Sequence, residues 1–203
     1  MNADKLPSAV RLRIFLTGVG GQGTLTATTL LAKTALDAGC SVTAGEIHGM
    51  AQRGGVVESA VLLGGFMSPK IGYGEADLLL GFEPLETLRA LPYLARGGVV
   101  VGNTQAVPPL RVSLGHDRYP EQGDIEAQAR QWAARAVFVP CRELGDRAGS
   151  AQSANMVLLG AAAGAGALPF GLDALEKAAL AYLKPALATV NLAALRLGAA
   201  AAA

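Results

Sequence analysis

The residues best suited to chemistry lie between Glu46 and Gly55, in the segment EIHGMAQRGG. His48, one of only two histidines in the chain, has a side chain whose ordinary pKa suits a general acid or base. No serine, cysteine or second histidine lies nearby to complete a nucleophilic set or a metal site. A structural or hydrogen-bonding histidine is therefore the alternative interpretation.

Arg53 stands beside two glycines, Gly54 and Gly55, whose amides can approach a ligand closely. A guanidinium fork in that setting suits a carboxylate or a phosphate. An ion pair with Glu46 or Glu58 is the alternative.

A second glycine-rich segment, GVGGQG, spans Gly18 to Gly23 and matches the pattern GxGxxG. It follows a predicted strand and precedes a predicted helix, the setting in which backbone amides and a helix N-terminus face an anion. Glu46 then lies where a dinucleotide-binding fold places its ribose-binding carboxylate. The same glycines could instead allow a helix to pack closely on a strand, so both interpretations stay open. The pattern is not that of a phosphate-loop NTPase, because it lacks the lysine and Ser/Thr pair that ends that motif.

The elements that must position these segments alternate along the chain. Short apolar runs bounded by glycine, proline or polar residues predict strands, at Leu12–Leu16, Ser41–Ala44, Val56–Leu63, Asp77–Phe82, Gly98–Asn103 and Ala136–Pro140. Apolar periodicity and a proline start predict helices, at Thr24–Ala38, from Pro84 through Arg96, at Asp124–Ala134 and over most of the chain after Glu143.

Strand and helix alternation predicts an α/β fold: a largely parallel sheet flanked by helices in three Rossmann-like layers, with a helical C-terminal part. Residues 1–203 are expected to form one domain, with a helical appendage from about residue 143. Thr104 to Gly123 is an irregular excursion, long for a compact domain, and a candidate functional or interface loop. The uncharged run from Met156 to Leu172 is interrupted by glycines and a proline, and predicts a buried helix followed by a turn.

Composition argues against several classes of protein. The 203 residues carry 17 basic and 16 acidic side chains, scattered along the chain, which disfavours nucleic acid or an anionic membrane as a partner. The two cysteines, Cys40 and Cys141, fit neither a disulfide framework nor an iron-sulfur ligand set. The N-terminal segment lacks the apolar core of a signal peptide. A cytoplasmic location is expected.

Four segments together resemble a known family. They are GVGGQGTLTATTLLAKTALDAG, GEIHGMAQRGGVVES, ADLLLGFEPLETLRALPYL and GGVVVGNT. Their order and separation are similar to those in the gamma-type subunit or domain of the 2-oxoacid:ferredoxin oxidoreductases, above all its indolepyruvate-oxidising members. The resemblance is clear from Arg11 to Asn103 and looser beyond, where it includes Asn155 and Met156.

The resemblance implies a division of labour between chains. In this family a 2-oxoacid is oxidatively decarboxylated on thiamine diphosphate with magnesium, iron-sulfur clusters pass the electrons to ferredoxin, and coenzyme A takes the acyl group. A larger partner subunit would hold these cofactors, and this chain would bind none of them alone and supply no catalytic residue. Its expected ligand-facing residues are those of the two glycine-rich segments: Gly18, Gly20, Gly21, Gln22, Gly23, His48, Gln52, Arg53, Gly54 and Gly55.

Two other classes remain open on the sequence. One is a stand-alone NAD(P)- or nucleotide-binding enzyme built on GVGGQG. The other is an interaction module of a different complex, because the Ala- and Leu-rich tail from Ala174 to Ala203 could offer an apolar face to a partner. That tail could equally be an ordinary pair of core helices.

Overall fold

One mixed sheet forms the centre of the molecule. The structure is a computed structural model that describes residues 10–48, 55–108, 112, 114, 116 and 118–203, with the backbone alone at 47 and 48. The sheet has six strands in the order β2-β3-β1-β4-β5-β6. Their bounds are β1 Leu12–Val19, β2 Val42–His48, β3 Val56–Leu63, β4 Ala76–Gly81, β5 Leu94–Asn103 and β6 Arg135–Val139.

Helices cover both faces of this sheet. The α-helices in the described residues are α1 Thr24–Asp37, α2 Pro84–Ala90, α3 Gln122–Trp132, α4 Cys141–Ala148, α5 Ala154–Gly164, α6 Leu172–Tyr182 and α7 Ala188–Ala202. Short 3-10 turns lie at Leu91–Tyr93, Ala151–Ser153 and Pro185–Leu187. The predicted α/β class is confirmed, and every predicted strand exists, with β3 at the predicted bounds.

Strand direction divides the sheet into two parts. The pairs β1–β4, β4–β5 and β5–β6 are parallel, whereas β3 runs antiparallel to both β1 and β2. The βαβ crossover from β1 through α1 therefore does not return to the neighbour of β1, because β3 lies between β1 and β2. Glu46 on β2 consequently does not occupy the ribose-binding position of a dinucleotide fold, where the second strand lies directly beside the first. That expectation was wrong.

The helix predicted from Pro84 through Arg96 was too long. Helix α2 ends at Ala90, and Leu94 already pairs with Ala76 as the first residue of β5. Pro92 explains the early end, since it lacks the amide hydrogen that a continuing helix would donate. The chain instead makes one 3-10 turn and enters the sheet.

The larger core lies on the α1 face of the sheet. Ile14 and Leu80 of the sheet, Met156 and Leu158 of α5 and Leu195 of α7 are buried in the same cluster. The helices after β6 thus share a core with the strands. The extent of the domain and the appendage from about residue 143 remain predictions.

The backbones of helices α5 and α7 pack directly against each other. A side chain at Gly160 would overlap the carbonyl of Leu195, and one at Gly198 would overlap the carbonyl of Val157. Small residues are needed wherever two helix backbones pack this closely. The Met156–Leu172 run is confirmed as a buried helix, α5, followed by a turn. In the tail, Leu175 of α6 and Leu195 of α7 belong to the larger core, as the core-helix alternative predicts.

One helical stretch within the described ranges, Pro185–Ala202, is long and apolar enough to cross a membrane by length and composition. Such a stretch is weak evidence for a membrane span, because core helices of globular proteins pass the same test. Ala194 and Leu195 within it are fully buried against the rest of the chain. These contacts make it an element of the fold.

Candidate functional site

The glycine turn from Gly18 to Gly23 joins the end of β1 to the start of α1. This is the carboxyl edge of the parallel strands, where open α/β folds bind ligands. The Gly20 amide donates a hydrogen bond to the carbonyl of Gly55 at 2.9 Å. The two glycine-rich segments singled out in the sequence therefore meet at this edge, through Gly20 and Gly55.

Two glycines of the turn are required by close packing. A Cβ at Gly18 would lie 2.8 Å from both Gln22 Oε1 and Phe82 Cβ. Gly23 has a φ of 77°, and a Cβ there would overlap Asn155 Nδ2. The structure thus shows the packing role that the sequence left open. Ligand binding by the same turn stays a prediction.

Gln22 positions the turn through its side chain. Its Oε1 accepts from the Val19 amide at 2.9 Å, and its Nε2 donates to the Phe82 carbonyl at 3.0 Å. These bonds tie the turn to the end of β4. Gln22 also lines the cavity described below, so its contact with a ligand remains a prediction.

The second predicted segment is only partly described. The backbone of His48 ends β2, in register with Val57 of β3. Gln52, Arg53 and Gly54 lie outside the described residues. Gly55 immediately precedes β3 and accepts the bond from Gly20. The roles of these residues therefore remain predictions.

A cavity of about 210 Å³ opens at the carboxyl edge of the sheet. Its lining comes from the glycine turn, the ends of β4 and β5, and the first residues of α4 and α5. The lining residues include Gly21, Gln22, Phe82, Asn103, Gln105, Val107, Cys141, Arg142, Gln152 and Asn155.

The charge of this cavity favours an anion. Within the described lining, Arg142 is the one charged side chain, and no carboxylate is present. The N-termini of α4 and α5 border the same space and add the positive ends of their helix dipoles, although the first amides of α4 already donate to Asn103 and Gln105. The cavity therefore suits a phosphate or carboxylate group rather than a cation.

Asn103 holds the floor of the cavity together. Its Nδ2 donates to the carbonyls of Phe82 and Gln105, both at 3.0 Å. Its Oδ1 accepts from the amides of Gln105 and Cys141, both at 3.1 Å. The buried amide thus joins the end of β4, the end of β5 and the start of α4. Sequence reasoning missed it, although a polar residue ending the apolar run GVVVGN was a usable signal.

Two further side chains fix the helix starts around the cavity. Gln105 Oε1 accepts from the amides of Arg142 at 2.6 Å and Glu143 at 3.0 Å, so it caps α4 from another segment. Asn155 Nδ2 donates to the Gly23 carbonyl at 3.2 Å, which links α5 to the glycine turn. The cavity wall is thus held by neutral amide side chains.

Glu83 attaches the segment after β5 to the start of α2. Its fully buried carboxylate accepts from the amide of Glu86 at 3.0 Å, from the amide of Val107 at 3.3 Å and from the hydroxyl of Tyr119. Burial, followed by this hydrogen bond to Glu83, raises the pKa of the Tyr119 hydroxyl well above its usual range. Tyr119 therefore remains a neutral donor.

The cysteines are both free thiols, and neither resembles an activated nucleophile. Cys141 lies at the start of α4, and burial raises the pKa of its thiol far above the usual value. Burial also raises the pKa of Cys40. A reactive thiolate requires the opposite shift. In the described residues no group of three or more His, Cys, Asp or Glu side chains is placed to hold a metal ion.

Comparison with known proteins relates this architecture to one family. Residues 13–201 match the family described as pyruvate ferredoxin/flavodoxin oxidoreductase. The chain is 38% identical over 189 residues to the indolepyruvate oxidoreductase subunit IorB of Archaeoglobus fulgidus, covering 93% of this chain and 94% of that one. It is 38% identical over 190 residues to subunit IorB of Pyrococcus horikoshii, covering 91% and 93% of the two chains.

Solved structures share the fold. The gamma subunit of a keto/oxoacid ferredoxin oxidoreductase from Geobacter sulfurreducens superposes with a TM-score of 0.68 at 22% identity, over 95% of this chain and 98% of that one. The pyruvate oxidoreductase subunit PORC from Thermotoga maritima also gives 0.68, at 20% identity over 94% and 96%. With the family match over nearly the whole length, these likenesses establish that the chain belongs to the pyruvate ferredoxin/flavodoxin oxidoreductase family.

Proposed function

We propose that this chain is the accessory subunit of a thiamine-diphosphate-dependent 2-oxoacid:ferredoxin oxidoreductase that oxidises indolepyruvate or a related arylpyruvate. The observation that carries the proposal is the end-to-end match to indolepyruvate oxidoreductase subunit IorB, at 38% identity over 93% of this chain and 94% of that one. A match over more than nine tenths of both chains supports the same subunit role.

The residues present do not suit the redox cofactors of such a complex. Two cysteines are too few for a cluster that takes four thiolates. The cavity at the sheet edge has no carboxylate in its described lining, whereas magnesium bound to a diphosphate is usually held by one. Thiamine diphosphate, magnesium and the iron-sulfur clusters therefore belong to a larger partner subunit, which would reduce ferredoxin. A cytoplasmic location is part of the proposal.

The cavity fits part of an anionic ligand. Its volume of about 210 Å³ is below the range of roughly 300–1,000 Å³ typical of complete small-molecule sites. A partner surface would supply the remaining walls. We assign the cavity to a phosphate of coenzyme A or to the substrate carboxylate, beside the turn of Gly18, Gly20, Gly21, Gln22 and Gly23. His48, Gln52, Arg53, Gly54 and Gly55 are proposed to face the same ligand.

Co-expression with a thiamine-diphosphate-binding large subunit tests the assignment. We expect the two chains to copurify at equal stoichiometry and to reduce a viologen dye when indolepyruvate and coenzyme A are supplied. The large subunit alone should have only a small fraction of the activity of the complex. An active monomer of this chain, or failure of the pair to associate, would show that the proposal is wrong.

Arg53→Ala in the complex tests the ligand-facing role of the segment before β3. Loss of a guanidinium that binds a carboxylate or phosphate should lower kcat/KM for coenzyme A or indolepyruvate by about 10- to 100-fold, since charged hydrogen bonds contribute roughly 1.5–3 kcal/mol. The melting temperature should stay unchanged. Arg53→Lys is the matched control, because it keeps the charge and removes the fork. Unchanged kinetics with lower stability would instead assign Arg53 to a structural ion pair.

A further inference from the structure

A second cavity, of about 410 Å³, lies on the sheet face opposite α1. Its apolar walls include Phe15, Ile71 and Tyr93, which belong to or pack against the smaller core cluster on that face. The cavity borders β2, the edge strand of the sheet. It is therefore separate from the anion-suited cavity at the carboxyl edge of the strands.

Aromatic rings form one wall of this second cavity. The rings of Phe15 and Tyr93 stack with centroids 4.4 Å apart, and Tyr73 packs edge-on against Tyr93 at 4.8 Å. Ring faces attract cations through their quadrupole, and arginine stacks on them especially well. The wall is suited to a side chain that is both flat and positively charged.

Glu58 supplies a negative charge to the same cavity. Alternation along β3 places it on the face of Ala60 and Leu62, which belong to the smaller cluster. Burial raises the pKa of Glu58, and its charge in turn contributes to the raised pKa of Tyr93. A carboxylate in apolar surroundings is costly unless a cation pairs with it.

No cation among the described residues forms an ion pair with Glu58. Glu46 and Lys70 also line the cavity, but no ion pair joins Lys70 to Glu58 across the ranges that the structure describes. The nearby Glu86, by contrast, is paired with Arg89 at 2.7 Å. Glu58 is thus a half-buried carboxylate that faces an aromatic-walled space large enough for a side chain.

The negative charge of Glu58 also makes the small ligands of the proposed reaction poor occupants of this cavity. A 2-oxoacid and coenzyme A are both anions, which the Glu58 carboxylate would repel. The edge strand β2 beside the cavity offers backbone groups to which another polypeptide can add. A protein cation is therefore the occupant that matches both features.

We propose that this cavity receives an arginine side chain of the larger partner subunit, paired with Glu58 and lying against the aromatic wall formed by Phe15 and Tyr93. The inference rests on the proposed function, because it supposes that such a subunit exists. It adds the surface of this chain on which that subunit docks, at the β2 edge and away from the ligand-facing turn.

Glu58→Gln tests the pairing in the assembled complex. The dissociation constant of the two subunits should rise at least about tenfold, because loss of one member of a buried charge pair typically weakens binding by this much or more. Its dependence on salt concentration should become shallower. The melting temperature of the isolated variant should stay the same or rise, since an uncompensated half-buried charge is removed. Asp146→Asn, the same charge change at an exposed position of α4, should leave the affinity unchanged.

Four results would overturn the proposal. If wild type binds the large subunit and Glu58→Gln binds equally well, the docking surface is wrong while the proposed function stands. If wild type does not bind at all, the proposed function fails and this inference with it. If Lys70→Ala matches the affinity loss, or Arg53→Ala couples to Glu58→Gln in the stability of the isolated chain, Glu58 pairs within its own chain.

Discussion

Replacing Gly23 with alanine is expected to destabilise the chain by roughly 2–5 kcal/mol, the sum of a left-handed backbone penalty and an overpacking penalty. Gly23 has a φ of 77° and caps the start of α1. A Cβ there would overlap Asn155 Nδ2, and moving Asn155 would break its hydrogen bond to the Gly23 carbonyl. The midpoint of urea denaturation measures the loss.

Gly21→Ala is the matched control for this prediction. Gly21 also has a positive φ, 99°, but a Cβ there would meet no atom within 4 Å. The stability of this variant should therefore fall only by the backbone penalty, roughly 1–2 kcal/mol. Equal losses for the two variants would contradict a role for the Asn155 contact. Adding Asn155→Ala to Gly23→Ala should give a loss smaller than the sum of the two single variants, because contacting residues are not additive.

Local features of the sequence predicted the elements of the fold well. The strands are apolar runs ended by glycine or polar residues, and β3 begins and ends where VVESAVLL does. The first turn was found because glycines between an apolar run and a periodic segment mark a strand-to-helix connection. These signals are short-range, so a single sequence carries them fully.

The order of the strands was not available from such signals. The segment between β1 and β4 contains two strands, and nothing in either one specifies that β3 rather than β2 lies beside β1. The expectation for Glu46 failed for this reason. The choice depends on which faces the whole sheet buries, which is a property of the assembled core.

In the candidate site, too, only the short-range features could be predicted from the sequence. The glycines were predicted from their pattern, whereas Asn155 contacts Gly23 across most of the chain length. Asn103 likewise gains its role only when the end of β5 meets the start of α4. Amide side chains whose partners lie this far away along the chain follow no spacing pattern that a single sequence reveals. A neutral polar residue at a strand end also has many structural uses.

Asn103→Leu is expected to destabilise the chain by roughly 2–4 kcal/mol, because an unpaired buried polar group costs roughly 1–3 kcal/mol and more than one is left behind. Leucine keeps the branched shape of the asparagine side chain and makes none of its four hydrogen bonds. The Cys141 and Gln105 amides and the Gln105 carbonyl lose their bonds to this side chain. The Phe82 carbonyl keeps the bond from Gln22, which limits the loss.

Gln105→Ala provides the comparison, measured by the same denaturation midpoint. It removes the cap from α4 at an exposed end of the network, so it should cost only about 1 kcal/mol. Because Asn103 also fixes the backbone of Gln105, Asn103→Leu should remove most of the cap as well, and adding Gln105→Ala to it should have little further effect. If the two losses instead add in full, Asn103 does not organise the cavity floor, and the cap on α4 forms independently of it.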